Sequence, residues 1–358
     1  GQRETIKPPA PDAKIKMRFN WNSGIALDPF DSKTVYFGSQ FLHKSTDKGT
    51  TWQIISPDLT TNNPEEQKEE TGGLTLDITG AENFNTIMAI APSAKNKDVI
   101  WVGTDDGNVQ LTKDGGKTWT NFRGKIPGMP VGAWIPQVQA SRFNAGEAFV
   151  TVNNYRQGDF APYVFRTKDF GQNWERIVDE NKVRGYALCF LQDPTTPNLM
   201  FCGTEHGLWV SVDEAKTWTQ WKAGLPSVST MDLTIQEREA DLVVGTFGRA
   251  LYVLDDIRPL RKIAQASTKV LDQKLVAFDS PDAYSVEFST QIGYNTIGDG
   301  MYEGENRAAG ARISYFVNVP KKEDKKPEDK KDVSTPKVPS IKYDTVYAKI
   351  YDEVGKQI

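Results

Sequence analysis

Only two cysteines and two histidines occur in 358 residues, so thiol and imidazole chemistry has little to work with. Cys189 and Cys202 cannot supply the multi-bridge framework of a small secreted scaffold, so the fold must rest on a hydrophobic core. His43 and His206 stand far apart without a ligand-like neighbour pattern. No zinc site is expected, nor any other metal or cofactor. Positive charge is not in excess: 43 lysines and arginines face 47 acids, a net charge of −4. That removes the electrostatic footprint of a nucleic-acid binder, and no such partner is expected. No run of eighteen apolar residues exists, so no membrane insertion is expected. Residues 1–9, Gly-Gln-Arg-Glu-Thr-Ile-Lys-Pro-Pro, lack the apolar stretch of a signal peptide. A glycine-rich phosphate loop and a serine-nucleophile elbow are also missing.

What the chain has instead is repetition. Thr112-Lys-Asp-Gly-Gly-Lys-Thr-Trp119 recurs as Ser45–Trp52, Thr167–Trp174 and Ser211–Trp218, with Ala215 replacing glycine in the last. A hydroxyl and a carboxylate two residues apart accept from nearby backbone N–H groups and lock a tight turn. The glycine supplies a positive φ, and the tryptophan carries a large ring toward the core. Asp47, Trp52, Asp114, Trp119, Asp169, Trp174, Asp213 and Trp218 are therefore read as structural.

Around each turn the same four short β-like runs recur, separated by Gly, Asp, Asn and Pro. The second set is clearest: Thr86–Pro92, Val99–Gly103, Asn108–Thr112 and Trp119–Phe122. A fifth set, Met231–Gln236, Leu242–Gly245 and Ala250–Leu254, loses the turn at Asp255-Asp-Ile-Arg-Pro259. Four strands per unit, repeated radially, predict an all-β chain built as a β-propeller of about five blades. Five is fewer than one ring is expected to need, so another chain or an upstream segment is expected to complete it; otherwise open strand edges remain. The expected organisation is an extended arm over 1–16, blades over 17–260, a connector over 261–280, and a further β-domain over 281–358. Within the last, the Lys/Glu/Asp-rich stretch 320–340 reads as a solvated loop. Cys189 and Cys202 flank the turn Asp193–Asn198 symmetrically. In a hairpin about that midpoint the thiols would face each other, as a cross-strand disulfide or a buried thiol pair.

The turn motif resembles the Asp-box of bacterial neuraminidase-type (BNR) repeats, found in sialidases, xyloglucanase-type glycoside hydrolases and sortilin-like receptors. Arg18-Phe-Asn-Trp-Asn22, Tyr36-Phe-Gly-Ser-Gln40, Ile55-Ser-Pro-Asp-Leu-Thr-Thr61, Gly245-Thr-Phe-Gly-Arg249 and Val253-Leu-Asp-Asp-Ile257 resemble the large secreted bacterial glycosyl hydrolase or sortilin-like repeat proteins. That resemblance implies an extracellular or periplasmic setting. It also implies a fibronectin-type-III-like β-sandwich after the propeller, here incomplete.

In an up-down unit, the strand 2–3 loops and the loops to the next unit share one face, and the repeated turns lie on the other. The first face carries the candidate site. Its tips include Asp105, Asp106, Glu205, His206 and Arg249, the long Asn153–Pro162, and, from the connecting loops, Trp21, Asn22, Trp134, Tyr186 and Asp232. Such a mixture suits a glycan or a peptide. Asp105 or Asp106 with Glu205 would be the acid–base pair of a glycoside hydrolase, as the xyloglucanase resemblance implies. Sialidase chemistry fits less well, because Arg142, Arg156, Arg184 and Arg249 match no three-arginine pattern. Three readings stand: a binding or assembly module, a glycoside hydrolase, and a structural spacer.

Overall fold

The computed structural model describes residues 6–68, 83–283, 310–318, 347–351 and 353–357. Its two compact units are Gly1–Asn318 and Val319–Ile358. The first is a succession of five antiparallel meanders. The first sheet is Ile25–Leu27, Val35–Gly38, Leu42–Ser45 and Gln53–Ile54; the second is Ile87–Pro92, Ile100–Thr104, Val109–Thr112 and Thr120–Asn121. The third is Trp134–Ala140, Ala148–Asn154, Asp159–Thr167 and Glu175–Val178; the fourth is Ala187–Gln192, Met200–Thr204, Gly207–Ser211 and Thr219–Trp221. The fifth has three strands, Thr230–Gln236, Asp241–Thr246 and Leu251–Leu254. This is the expected all-β propeller architecture of four-stranded blades. Among the described residues no helix is long and apolar enough to cross a membrane.

The second strands show why the sheets stack. Every residue of Ile100–Thr104 and Met200–Thr204 is buried, because each lies between a sheet before and a sheet after. Four apolar seams result. Tyr36, Leu42 and Ile100 join the first sheet to the second; Trp101, Ile135 and Phe165 join the second to the third. Phe149, Phe190 and Met200 join the third to the fourth; Phe201, Leu233 and Leu242 join the fourth to the fifth. Each fully buried side chain of this size stabilises by about 1.5–3 kcal/mol. Among the described residues no such seam joins the fifth sheet to the first.

Glycine at the end of the second strand sets how closely the sheets approach. A Cβ on Gly38 would stand 2.7 Å from Ile87 Cγ2, and one on Gly203 would stand 2.7 Å from Thr230 O. Gly103 is crossed in the same way by Ile135. At the corresponding Gly245 the nearest atoms among the described residues belong to Asp232 and Leu251 of its own sheet, none nearer than 3.5 Å.

The repeated turns form one hydrogen-bonded design. Thr112 Oγ1 donates to Asp114 Oδ1 (2.8 Å) and accepts from Gly116 N (2.9 Å), while Asp114 accepts from Thr118 N and Oγ1. Ser45–Asp47, Thr167–Asp169 and Ser211–Asp213 repeat it. The Thr118 bonds hold the Asp114 carboxyl down to about 2, and those of Thr51 do the same for Asp47. Ala215 adopts a left-handed φ of 64° where the other turns have glycine. Its methyl is buried in the seam between the third and fourth sheets. Trp119 Nε1 donates to Gly116 O (3.1 Å) and reaches Ile55 O of the preceding sheet (3.4 Å); Trp218 Nε1 likewise reaches Ile177 O (3.3 Å).

Three expectations change. The thiols do not face each other: Cys189 pairs with Gly203, and Cys202 with Phe190. The loop closes with Asp193 N–H donating to Leu199 O, one residue later than the sequence midpoint. That slip sends the two side chains to opposite faces of the sheet. Cys189 lies in the seam toward the fifth sheet and Cys202 in the seam toward the third, both free and buried. Second, where the fifth turn is lost, the chain forms a helix, Arg258–Ala266, started by Pro259 and packed by Ala264. Arg261 Nε pairs with Asp193 Oδ2 at 2.8 Å and ties this helix to the fourth sheet. Third, the connector expected over 261–280 is structured: beyond the helix it forms a 3-10 turn, Thr268–Asp272, and a short strand, Leu275–Ala277, which pairs with Tyr315–Val317.

In the second unit, Tyr351 and Gln357 form an antiparallel bridge. Most of the sandwich expected over 281–358, with its charged loop at 320–340, falls outside the described residues. The arm does lie within them from residue 6: Pro8 is buried, and Lys7 Nζ sits 4.2 Å above the Phe19 ring.

Candidate ligand-binding mouth

A cavity of about 410 Å³ opens where the five sheets converge, on the face away from the repeated turns. Each sheet or its leading loop contributes to its lining: Asn22, Met88, Trp134 with Gln137, Leu188, and Met231 with Asp232. The first strands of the second to fifth sheets, and the loop ahead of the first sheet, thus deliver side chains to one place, although these residues are far apart in sequence.

The third sheet contributes most because its central hairpin is the longest. Ala148–Asn154 and Asp159–Thr167 are joined by a 3-10 turn, Tyr155–Gln157, closed by Gly158 at φ 76°. The register shifts between Val152 and Asn154, as a bulge does when it re-aims a strand end. Asp159 pins the tip by accepting from Asn154 Nδ2 (3.1 Å), Ala161 N (3.1 Å) and Tyr163 OH (2.9 Å). The turn then lays Arg156 over Trp134, with the guanidinium carbon 3.4 Å from the ring centroid and 4.4 Å from that of Tyr155. Tyr155 stacks on Tyr186 at 4.6 Å, and Phe160 packs beside Tyr186 at 6.1 Å. One side of the mouth is therefore a stack of alternating rings with a cation inside it. Gln137 is held as well: its Oε1 accepts from Phe190 N at 2.6 Å.

Asn22, Trp134 and Asp232 line this cavity, and Tyr186 stacks on its rim. Trp21 is 71% exposed beside it. Glu205 and His206 sit together at the fourth hairpin tip, 3.5 Å apart, and are not part of the lining. Arg249 is exposed on the fifth sheet's tip and also lies outside it.

Asp105 and Asp106, expected as open tip residues, are buried in the seam between the first two sheets. Asp105 accepts from Thr86 N (2.7 Å), Thr86 Oγ1 (2.5 Å) and Asn20 Nδ2 (3.2 Å). Asp106 accepts from Thr61 N (2.7 Å), Thr61 Oγ1 (2.8 Å) and Asn85 Nδ2 (2.9 Å). Both carboxylates are saturated by chain segments they hold together, because a buried carboxylate must be met by donors. Burial, opposed by the Thr86 hydrogen bonds and reinforced by Asp106, pushes the Asp105 carboxyl up to about 7. Asp232 is the only acid in the described lining, so no carboxylate pair flanks the cavity. Among the described residues no group of three or more His, Cys, Asp or Glu could hold a metal ion.

Tyr155 and Arg156, covered from the sequence only by the tip range Asn153–Pro162, and Met88 and Met231 are lining residues not named there as ligand candidates. The signal for the first two was the extra length of Asn153–Pro162 with an aromatic–Arg–x–Gly turn at its tip.

The sheets and the central mouth place the chain in the class of β-propellers. No protein-family model matches it, and neither does any curated protein. Among solved structures it is similar to an ancestral GH74 enzyme (16% identity, TM-score 0.47, covering 66% of this chain and 29% of that one). It is also similar to the GH74 xyloglucanase of Xanthomonas campestris (17% identity, TM-score 0.47, 65% and 36% covered). A third similar structure is YCF48 bound to a D1 peptide (16% identity, TM-score 0.38, 70% and 75% covered). The chain thus spans about a third of the length of the two GH74 structures. These are likenesses of architecture and assign no activity.

Proposed function

We propose that this chain is a binding and assembly module that takes an extended polypeptide segment into its central mouth. The observation that carries this reading is the state of the aromatic faces. Sugar rings bind proteins by lying flat on open aromatic faces. Among the rings stacked at the cavity, Arg156 covers Trp134, and Tyr155 and Tyr186 cover each other; Trp21, 71% exposed, stands outside the lining. What the mouth offers is an apolar floor of Met88, Leu188 and Met231 with amide and charged groups around it, which suits a peptide's mixed surface. The hydrolase alternative loses its expected acids, since Asp105 and Asp106 are used within the seam. The test is fluorescence polarisation with a random twelve-residue peptide library and a polysaccharide panel. Peptide binding lost in Met231→Arg, which fills the mouth, supports the reading; polysaccharide binding or hydrolysis without peptide binding overturns it.

The same reading takes the five sheets as part of a larger ring. Gly245 carries the small residue that elsewhere admits the next sheet, yet among the described residues its nearest neighbours are Asp232 and Leu251 of its own sheet. Leu251 and Val253 on the fifth sheet are 70% and 54% exposed, and Ile25 and Leu27 on the first are 60% and 67% exposed. Such faces call for further sheets, from another chain or from an upstream segment. The turns are read as Asp-boxes, and the setting as secreted or periplasmic with a fibronectin-type-III-like module after the propeller, on the sortilin-like resemblance. Sedimentation of the purified chain tests the ring: self-association relieved by Leu251→Lys is expected, and a monodisperse closed monomer would contradict it.

A further inference from the structure

We infer that the mouth selects a carboxylate on its peptide ligand, and that Arg156 is the residue that reads it. This rests on the peptide-binding reading above and names the chemistry of the bound group.

Eight arginines of the first unit have carboxylate partners, with Arg142, Arg238 and Arg312 paired to Glu237, Glu239 and Asp255. Arg18 pairs with Asp58 (2.6 Å), Arg166 with Glu147 (2.5 Å) and Arg176 with Glu180 (2.7 Å); Arg258 pairs with Asp256 and Arg261 with Asp193 (both 2.8 Å). Arg156 has none among the described residues, although it lines the cavity. Its hydrogen bonds within the hairpin run to Asn153 Oδ1, at 3.3 Å from Nη1, and to the Tyr155 side chain, both neutral partners.

The guanidinium is nevertheless held in place. Its central carbon lies 3.4 Å from the Trp134 ring centroid and 4.4 Å from that of Tyr155, and these two cation–π contacts hold the group at the cavity wall. A planar fork whose position is already set loses little entropy when a carboxylate docks on it, and such pairing is geometrically specific. Lysine at this position would keep the charge but neither the plane nor the fork.

The rest of the cavity narrows the ligand further. Asp232 stands in the same lining and repels a second anion, while it can accept from an amide or ammonium group. Met88, Leu188 and Met231 give the ligand's aliphatic portion a place to rest. The matched segment therefore carries one Asp, one Glu or a free C-terminus next to neutral or basic residues, and is not polyanionic.

The experiment compares twelve-residue peptides carrying a single Asp with their Asn counterparts, together with oligogalacturonate as a carboxylate from a different source. Wild-type protein is expected to bind the Asp peptides roughly tenfold to a hundredfold more tightly, the usual range for a charge-assisted pair. Arg156→Gln and Arg156→Lys are expected to remove that preference, so that each variant binds the Asp and Asn peptides with equal affinity. Equal affinity of wild type for the Asp and Asn peptides overturns the inference while leaving peptide binding in place. Equal loss of acidic and neutral peptides in both variants also overturns it, since Arg156 would then only support the stack. Oligogalacturonate binding in preference to every peptide overturns the peptide source. If no peptide of any kind binds, the mouth reading itself fails, and this inference with it.

Discussion

Asp105 accepts a 2.7 Å hydrogen bond from the backbone N–H of Thr86, so a carboxyl at the tip of one hairpin fixes the start of its own sheet's first strand. A third bond, from Asn20, brings in the segment ahead of the first sheet. The seam between the first two sheets is thus polar at the mouth end and apolar beneath.

The protonation of Asp105 follows from its burial. Its folded pKa is raised to about 7, above its unfolded value, so the protonated form is favoured by folding. The stability it contributes is fully present at acid pH below its unfolded pKa and is lost as the pH rises through about 7. Denaturation midpoints should fall between about pH 5 and about pH 8, with a smaller slope in Asp105→Asn. A slope unchanged by the substitution would contradict this.

His43 acts in the opposite direction. It is buried against Ser39 Oγ at 2.8 Å, and burial depresses its pKa to about 4. Its stabilising contribution is present above the unfolded value of about 6.5 and is lost as the pH falls through about 4. His43→Gln should flatten the acid limb of the stability profile without moving the alkaline limb. Urea melts at several pH values measure both.

The glycine pattern predicts two opposite outcomes from one kind of change. Gly203→Ala places a methyl against Thr230, and should destabilise by about 1–3 kcal/mol. Gly245→Ala meets nothing closer than 3.5 Å at a backbone conformation open to alanine, and should be neutral or stabilising by about 0.4–1 kcal/mol. Chemical denaturation separates them, and a large loss at Gly245 would mean that this position is already covered.

The thiols give a third check on the seams. Burial pushes Cys202 up to about 12 and raises Cys189 well above its ordinary value, so both should resist a thiol reagent in the native protein. Two equivalents are expected to react only in denaturant, and reductant should leave the midpoint unchanged.

The fold was legible because its signals are local and repeated. The hydroxyl–Asp–Gly–Trp turns and the short β-branched runs located the sheets of the propeller, and glycines such as Gly103 closed the second strands. Other features depended on distances that no local pattern carries. Asp105 and Asp106 before Gly107 read as an open turn, yet Thr61, Thr86 and Asn85 close over them from elsewhere in the chain. Cys189 and Cys202 looked symmetric, but a loop one residue longer on one side put them on opposite faces. Trp134, Asn22 and Asp232 were legible as mouth residues from their loop positions. Arg156 was hidden inside a long tip whose fold-back onto Trp134 only the bulged hairpin reveals. The helix Arg258–Ala266 was missed because Pro259 was read as an end of repeat and not as a helix start.

Hydrogen exchange of the intact chain with a bound acidic peptide tests the central claim most directly. Protection is expected at the Tyr155–Gln157 tip and along Thr230–Gln236, with the turns at Asp47, Asp114, Asp169 and Asp213 unchanged. Protection confined to those turns, with none at the hairpin tip, would contradict it.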